Sequence, residues 1–166
     1  MDPLTITASA VSLAASIGKL SVSISRFVFH IREARNDMDL VLRELVSLET
    51  ILRMLAEDAS NPSGFPDSLC VQIMGILNGC DAVTVEITQT LSKYEPNSVL
   101  RKGAWALSGR DDMSKLRGSL EAHKAALNIA LDMLAMYVWN GCVRERILLN
   151  ITLELWQRTS NRTHRI

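Results

Sequence analysis

Apolar residues in this chain return every three or four positions in one segment after another, and no stretch of useful length alternates apolar with polar at every second position. A period near 3.6 lays one stripe along an α-helix, whereas a half-buried strand needs a period of two. The chain is therefore confined to packing helices against helices. From Pro3 to about Ala34 the stripe is Ile6, Leu13, Ile17, Leu20, Ile24, Phe27 and Ile31. A second helix, capped by Asn36 or Asp37, runs to about Asp58 with Met38, Val41, Leu42, Leu45, Leu48, Leu52 and Leu55 on one face. Ser60-Asn-Pro-Ser-Gly-Phe-Pro66 interrupts it, because two prolines and a glycine do not fit a helix interior.

A third helix restarts at Asp67 or Ser68 and reaches about Tyr94, with Leu69, Ile73, Ile76, Leu77, Cys80, Val83, Ile87 and Leu91 at helical spacing. Gly75 and Gly79 inside it each cost about 1 kcal/mol against alanine, and close approach of a neighbouring helix is the expected compensation. After Glu95-Pro96-Asn97 comes a short apolar piece, Val99 to Leu107, closed by Ser108-Gly109. Asp111 or Asp112 then caps a long helix with Met113, Leu116, Leu120, His123, Leu127, Leu131, Leu134 and Val138 on one side. Gly141 is expected to bend or end it, and Val143, Ile147, Ile151 and Leu155 carry the pattern on. The expectation is an all-α, up-and-down bundle of four to five long helices plus a short connecting helix, over residues 1–158. A basic tail, 159–166, is expected to fray. A hydrophobic content of 48% with only 5% aromatics suits such a core, filled by Leu, Ile, Val, Ala and Met.

A formal net charge of zero removes the global attraction expected of a nucleic-acid binder, so no nucleic-acid partner is expected. The charges are nevertheless segregated. Residues 37–67 hold seven acids against Arg43 and Arg53, a net −5, while residues 101–117 and 144–166 each carry +3. These are either solvated helix faces or surfaces that steer subunits together or draw basic segments to anionic lipid.

Nothing in the sequence supports an enzyme, a cofactor or a metal. Cys70, Cys80 and Cys142 have no CxxC spacing, and His30, His123 and His164 form no HxxxH pair. There is no Gly-rich phosphate loop, nucleophile elbow or HExxH. Glu49, Asp81 and Glu86 lie on helices without a motif that pairs them as an acid–base dyad. The sequons at Asn150 and Asn161 matter only in a secreted protein, and the odd cysteine count fits a reducing interior better.

The first helix carries the features that bear on function. Leu4, Val11, Ala15, Gly18, Val22 and Phe29 form a second apolar row nearly opposite the first, so the helix must be buried centrally or find a membrane or partner. Pro3 to Ser25 holds one charge, Lys19, and as a helix measures roughly 35 Å, enough to cross a hydrocarbon layer of about 30 Å. Eight large aliphatics contribute about −4 kcal/mol to insertion, while Lys19 costs about +3. Eight Ser and Thr hydroxyls weaken insertion further, so a constitutive anchor is not expected. Ala10, Ala14 and Gly18 recur at every fourth position, a ridge that lets helix backbones approach closely, either inside the bundle or in an assembly. Trp105 among Arg101, Lys102 and Arg110 reads either as a plug for one end of the bundle or as a basic and aromatic patch at a lipid headgroup layer.

The opening Met1-Asp-Pro-Leu-Thr-Ile-Thr-Ala-Ser-Ala-Val-Ser-Leu-Ala-Ala-Ser-Ile-Gly-Lys-Leu20 resembles the start of the fungal N-terminal domain of STAND, or NOD-like receptor, proteins, also called HeLo-like. Glu44-Leu-Val-Ser-Leu-Glu49 with Leu52, and Trp105-Ala-Leu107 leading to Leu120-Glu-Ala-His-Lys-Ala-Ala-Leu-Asn-Ile-Ala-Leu131, are similar too. The resemblance extends over about residues 1–134. It implies a helical bundle at the head of a larger receptor with C-terminal modules, and in some relatives a membrane-targeting cell-death effector whose first helix is released on activation.

Together these readings give an expectation of a cytoplasmic bundle that self-associates and relocates to anionic plasma-membrane lipid. Leu4, Ile6, Ala10, Val11, Leu13, Ala14, Ile17 and Gly18 form the membrane-active or assembling helix. The alternative is a soluble adaptor that self-associates or restrains a receptor.

Overall fold

The computed structural model describes residues 3–59, 66–94 and 105–163. Among them are four long helices and no strand: α1 (Pro3–His30), α2 (Arg35–Ala59), α3 (Asp67–Lys93) and α4 (Arg110–Thr163). The all-α bundle expected from the periodicity is what the chain forms. The short apolar piece expected before α4 falls largely outside the described residues. Its visible end, Trp105–Gly109, is a single π-helical turn.

The expected stripes supply the core up to Leu134, beyond which Val138, Val143, Ile147 and Ile151 of the expected pattern are exposed instead. Ile6, Leu13, Ile17, Leu20, Ile24 and Phe27 of α1 are buried, as are Met38, Leu45, Leu48, Leu52 and Leu55 of α2. Leu69, Ile73, Leu77, Cys80 and Ile87 of α3 complete the centre with Met113, Leu120 and Leu127 of α4. α1 packs along both α2 and α3. Between α2 and the first part of α4, Lys124 pairs with Glu44, and Arg110 Nε meets Asp37 Oδ2 at 3.0 Å. Some of the opposite charge that separates these segments in sequence is thus used inside one chain.

Helix boundaries differ from expectation in two places. α1 ends at His30 rather than near Ala34: Ile31 leaves the helical region at φ −125°, ψ 87°, and a 3-10 turn, Arg32–Ala34, leads into α2. No glycine or proline marks this corner. Ile31 and Ala34 are both buried, so the core they enter sets the turn. At the other end α4 continues through Gly141 and on to Thr163, into the tail expected to fray. A single exposed glycine costs a helix about 1 kcal/mol, too little to break one of this length.

Contacts divide the chain into two compact units, residues 1–131 and residues 132–166. The first holds α1, α2, α3 and the opening part of α4 around the core. The second is helical from Asp132 to Thr163 and exposes most of its large apolar side chains between Met133 and Ile151.

Candidate functional site: the outer face of α1

The two apolar rows of α1 have different fates. The inner row is sealed in the core, whereas Leu4 is 70% exposed, Val11 57%, Val22 53% and Phe29 81%. Of the two situations open to a helix apolar on both sides, central burial is not the one found: only the inner row is enclosed. α2 and α3 flank the helix on its inner sides and leave this outward strip open. Lys19 and Arg26 are exposed on the same side, and no acid lies between Pro3 and His30. The outer face thus combines an apolar row with positive charge, a combination that suits an anionic lipid surface.

Four serine hydroxyls on this helix bond its own backbone. Ser16 donates to the Ser12 carbonyl at 3.1 Å, Ser21 to Ile17 at 3.0 Å, Ser23 to Lys19 at 3.2 Å and Ser25 to Ser21 at 2.9 Å. A hydroxyl satisfied this way costs less to move into an apolar medium than a free one. The sequence-based penalty for these serines is correspondingly smaller.

Ala10 and Ala14 of the small-residue ridge are buried. Val11, Ala14, Ala15 and Gly18 line a groove of about 510 Å³ shared with Glu49, Leu52, Arg53, Ala56 and Glu57 of α2. Arg53 is held there by Glu49 at 2.7 Å. Gly18 is not a point of close helix approach: a Cβ built on it meets no heavy atom within 4 Å. The ridge contributes its two alanines to intrabundle packing, while its glycine opens onto the groove.

Trp105 corrects the reading of a lipid-facing patch. Its indole is fully buried, edge-on to Phe27 with ring centroids 5.1 Å apart and to Tyr94 at 5.6 Å. Gly109 permits this, since a Cβ there would collide with the indole. The Tyr94 hydroxyl donates to Asp112 Oδ2 at 3.1 Å, so at the 3.0 Å contact with Ser108 it is the acceptor. Lys93 sits over the Tyr94 ring, 4.9 Å from its centroid, and 3.5 Å from Asp112. The tyrosine hydroxyl and then the neighbouring negative charge raise its ammonium pKa. This cluster ties the end of α3 to the start of α4. Arg110 is engaged by Asp37, and Arg101 and Lys102 lie outside the described residues.

His123 lies half-buried against Gly79, where an added Cβ would collide with its imidazole, so close approach does explain Gly79. Gly75 has no neighbour within 4 Å of such a Cβ, and the same explanation fails for it. Among the described residues no group of three or more His, Cys, Asp or Glu side chains is placed to hold a metal ion. Leu4–His30, Asp67–Lys93 and Arg110–Leu149 are long and apolar enough, by length and composition alone, to cross a membrane. Sequence reasoning singled out the first and missed the other two, because it weighed charge-free length rather than the hydropathy of a shorter stretch that tolerates a charge or two.

The family described as pigment biosynthesis cluster protein PigL N-terminal matches residues 1–151. No curated protein and no solved structure matches the chain.

Proposed function

The chain belongs to the PigL N-terminal family of fungal helical domains, and from that premise we propose that it is a signalling and effector bundle that self-associates and acts on anionic membranes through α1. The observation that carries this reading is the open outer row of α1, Leu4, Val11, Val22 and Phe29, beside Lys19 and Arg26. A domain with no further role for this helix gains nothing from a row of large apolar side chains in water. The resemblance of the opening twenty residues to HeLo-like domains of fungal NOD-like receptors supports a role in incompatibility-type cell death. It also supports C-terminal receptor modules as partners and a cytoplasmic resting form that moves to the plasma membrane. No catalytic step and no cofactor enter the reading.

The face binds first as it stands, by apolar contact and charge. Deeper insertion requires α1 to leave α2 and α3, and the large buried inner row opposes that step until lipid or assembly replaces those contacts. Dye release from anionic liposomes by the purified chain, measured beside its mass in solution, tests the proposal. Release that depends on anionic lipid supports it. An assembling chain that neither binds nor permeabilises liposomes is instead a soluble adaptor.

A further inference from the structure

The last turns of α1 and α3 leave a cleft between them. Ser23, Arg26, Phe27 and His30 line it from α1, and Thr88, Leu91 and Ser92 from α3, around a volume of about 240 Å³. Phe27 and Leu91 are buried and supply its apolar wall, while the five polar side chains are exposed. No carboxylate lines the cleft, and Arg26 has no ion-pair partner among the described residues. A guanidinium left unneutralised beside an imidazole is a donor set for an anion. The guanidinium offers a planar fork for two oxygens, and histidine offers at least one further N–H. The three hydroxyls complement these donors as acceptors. Ser23 donates to the Lys19 carbonyl at 3.2 Å, Thr88 to the Thr84 carbonyl at 2.9 Å and Ser92 to the Thr88 carbonyl at 3.0 Å. With each hydrogen committed to the helix, each oxygen keeps lone pairs for donors that a ligand brings.

We propose that this cleft binds a phosphate monoester carried on a polyhydroxylated compound, with Arg26 and His30 on the phosphate and Ser23, Thr88 and Ser92 on the hydroxyls of the carrier. A carboxylate has two oxygens, which the guanidinium fork satisfies alone, and a phosphodiester has two unesterified oxygens. A monoester presents three, enough for the fork and the imidazole together. Phosphate by itself leaves much of a cleft of about 240 Å³ unfilled, since one water takes roughly 30 Å³ in the liquid. The carrier fills the rest, its C–H face on Phe27 and Leu91 and its hydroxyls on the three acceptor oxygens. A soluble sugar or inositol phosphate and a lipid headgroup both offer this chemistry. The His30 ring packs edge-on to Phe29, the last member of the outer row of α1, with ring centroids 5.4 Å apart. A headgroup in the cleft therefore lies beside the side chains that meet the bilayer in the proposed function. The lipid source alone rests on that reading of α1, and the chemistry of the cleft stands on its own residues.

Calorimetric titration of the full chain with myo-inositol 1-phosphate tests the cleft. One-to-one binding is expected, with none of unphosphorylated inositol, and inorganic phosphate is expected to bind at least about tenfold more weakly. Arg26→Gln and His30→Gln, both on exposed sites that leave the core intact, are each expected to weaken the ester by at least about tenfold, and Thr88→Val by roughly two- to tenfold. Lys115→Gln, which removes one positive charge from an exposed site outside the cleft, leaves binding unchanged. A parent that binds no ester, or one weakened equally by Lys115→Gln, overturns the site. Inorganic phosphate bound as tightly as the ester overturns the role of the carrier. Flotation with phosphatidylcholine vesicles then assigns the source. Stronger capture by phosphatidylinositol 4-phosphate than by an equal charge of phosphatidylglycerol, lost in Thr88→Val, identifies a headgroup, and equal capture identifies a soluble ester. A chain that binds the ester yet leaves every vesicle intact keeps the cleft and loses the reading of α1. One that releases dye from phosphatidylglycerol vesicles without binding the ester keeps α1 and loses the cleft.

Discussion

Two glycines on one helix face opposite surroundings, and the same substitution separates them. Gly75→Ala meets open space and gains helix propensity, so it is expected to stabilise the chain by about 0.5–1 kcal/mol. Gly79→Ala drives a methyl into the His123 imidazole and is expected to cost about 1–2 kcal/mol. Urea unfolding of both variants, and of Gly79→Ala in a His123→Ala background where the cost should vanish, checks the pair. The sequence showed that both glycines are helical. It could not show which one meets a neighbour, since that depends on a residue 44 positions away. Cys80, three residues before Val83 on the inner stripe, is fully buried, and burial raises its thiol pKa from 9.0 to about 11. The unfolded chain therefore releases this proton first as pH rises. The stabilisation is fully present below about pH 9 and is lost as pH climbs through about 11, an effect of order 2–3 kcal/mol. Between pH 8 and pH 11 the parent should lose more stability to alkali than Cys80→Ala does, by roughly that amount in urea midpoints.

Lysine placed on either side of α1 distinguishes its two rows. Ile17→Lys buries an uncompensated charge at a fully enclosed site and is expected to cost several kcal/mol, about 3 or more, enough to unfold a marginal domain. Val11→Lys, on the open row, is expected to change stability by no more than about 0.5 kcal/mol in the same assay. Gly18→Leu is also expected to fold, because its side chain enters the open groove beside α2 rather than a backbone. The existence of all four helices was legible from period alone, and so were the buried faces of α2 and α3, each of which carries a single continuous stripe of large aliphatics. The corner at Ile31 was not, since it follows from what surrounds Ile31 and Ala34 and has no local breaker. The π-turn at Trp105 was equally hidden. It seats an indole between Tyr94 and Phe27, the latter 78 positions away in sequence.

For the molecule as a whole, charge segregation reads differently once Arg110–Asp37 and Lys124–Glu44 are seen. Part of the acidic and basic imbalance closes the bundle on itself, through pairs that are worth about 1 kcal/mol or less where solvent reaches them. The outer row of α1 stays open, with Lys19 and Arg26 exposed beside it. The candidate site was legible to the extent that the first helix has two apolar rows, and illegible in which row the bundle leaves outside. The central claim is that this outer row is the membrane-acting surface. Dye release from anionic liposomes by the parent chain and by a variant carrying Leu4→Ser, Val11→Ser, Val22→Ser and Phe29→Ser tests it most directly, with helicity by circular dichroism as the control. The account predicts release by the parent and its loss in an equally helical variant. A parent that releases no dye, or a folded variant that releases as much as the parent, would contradict it.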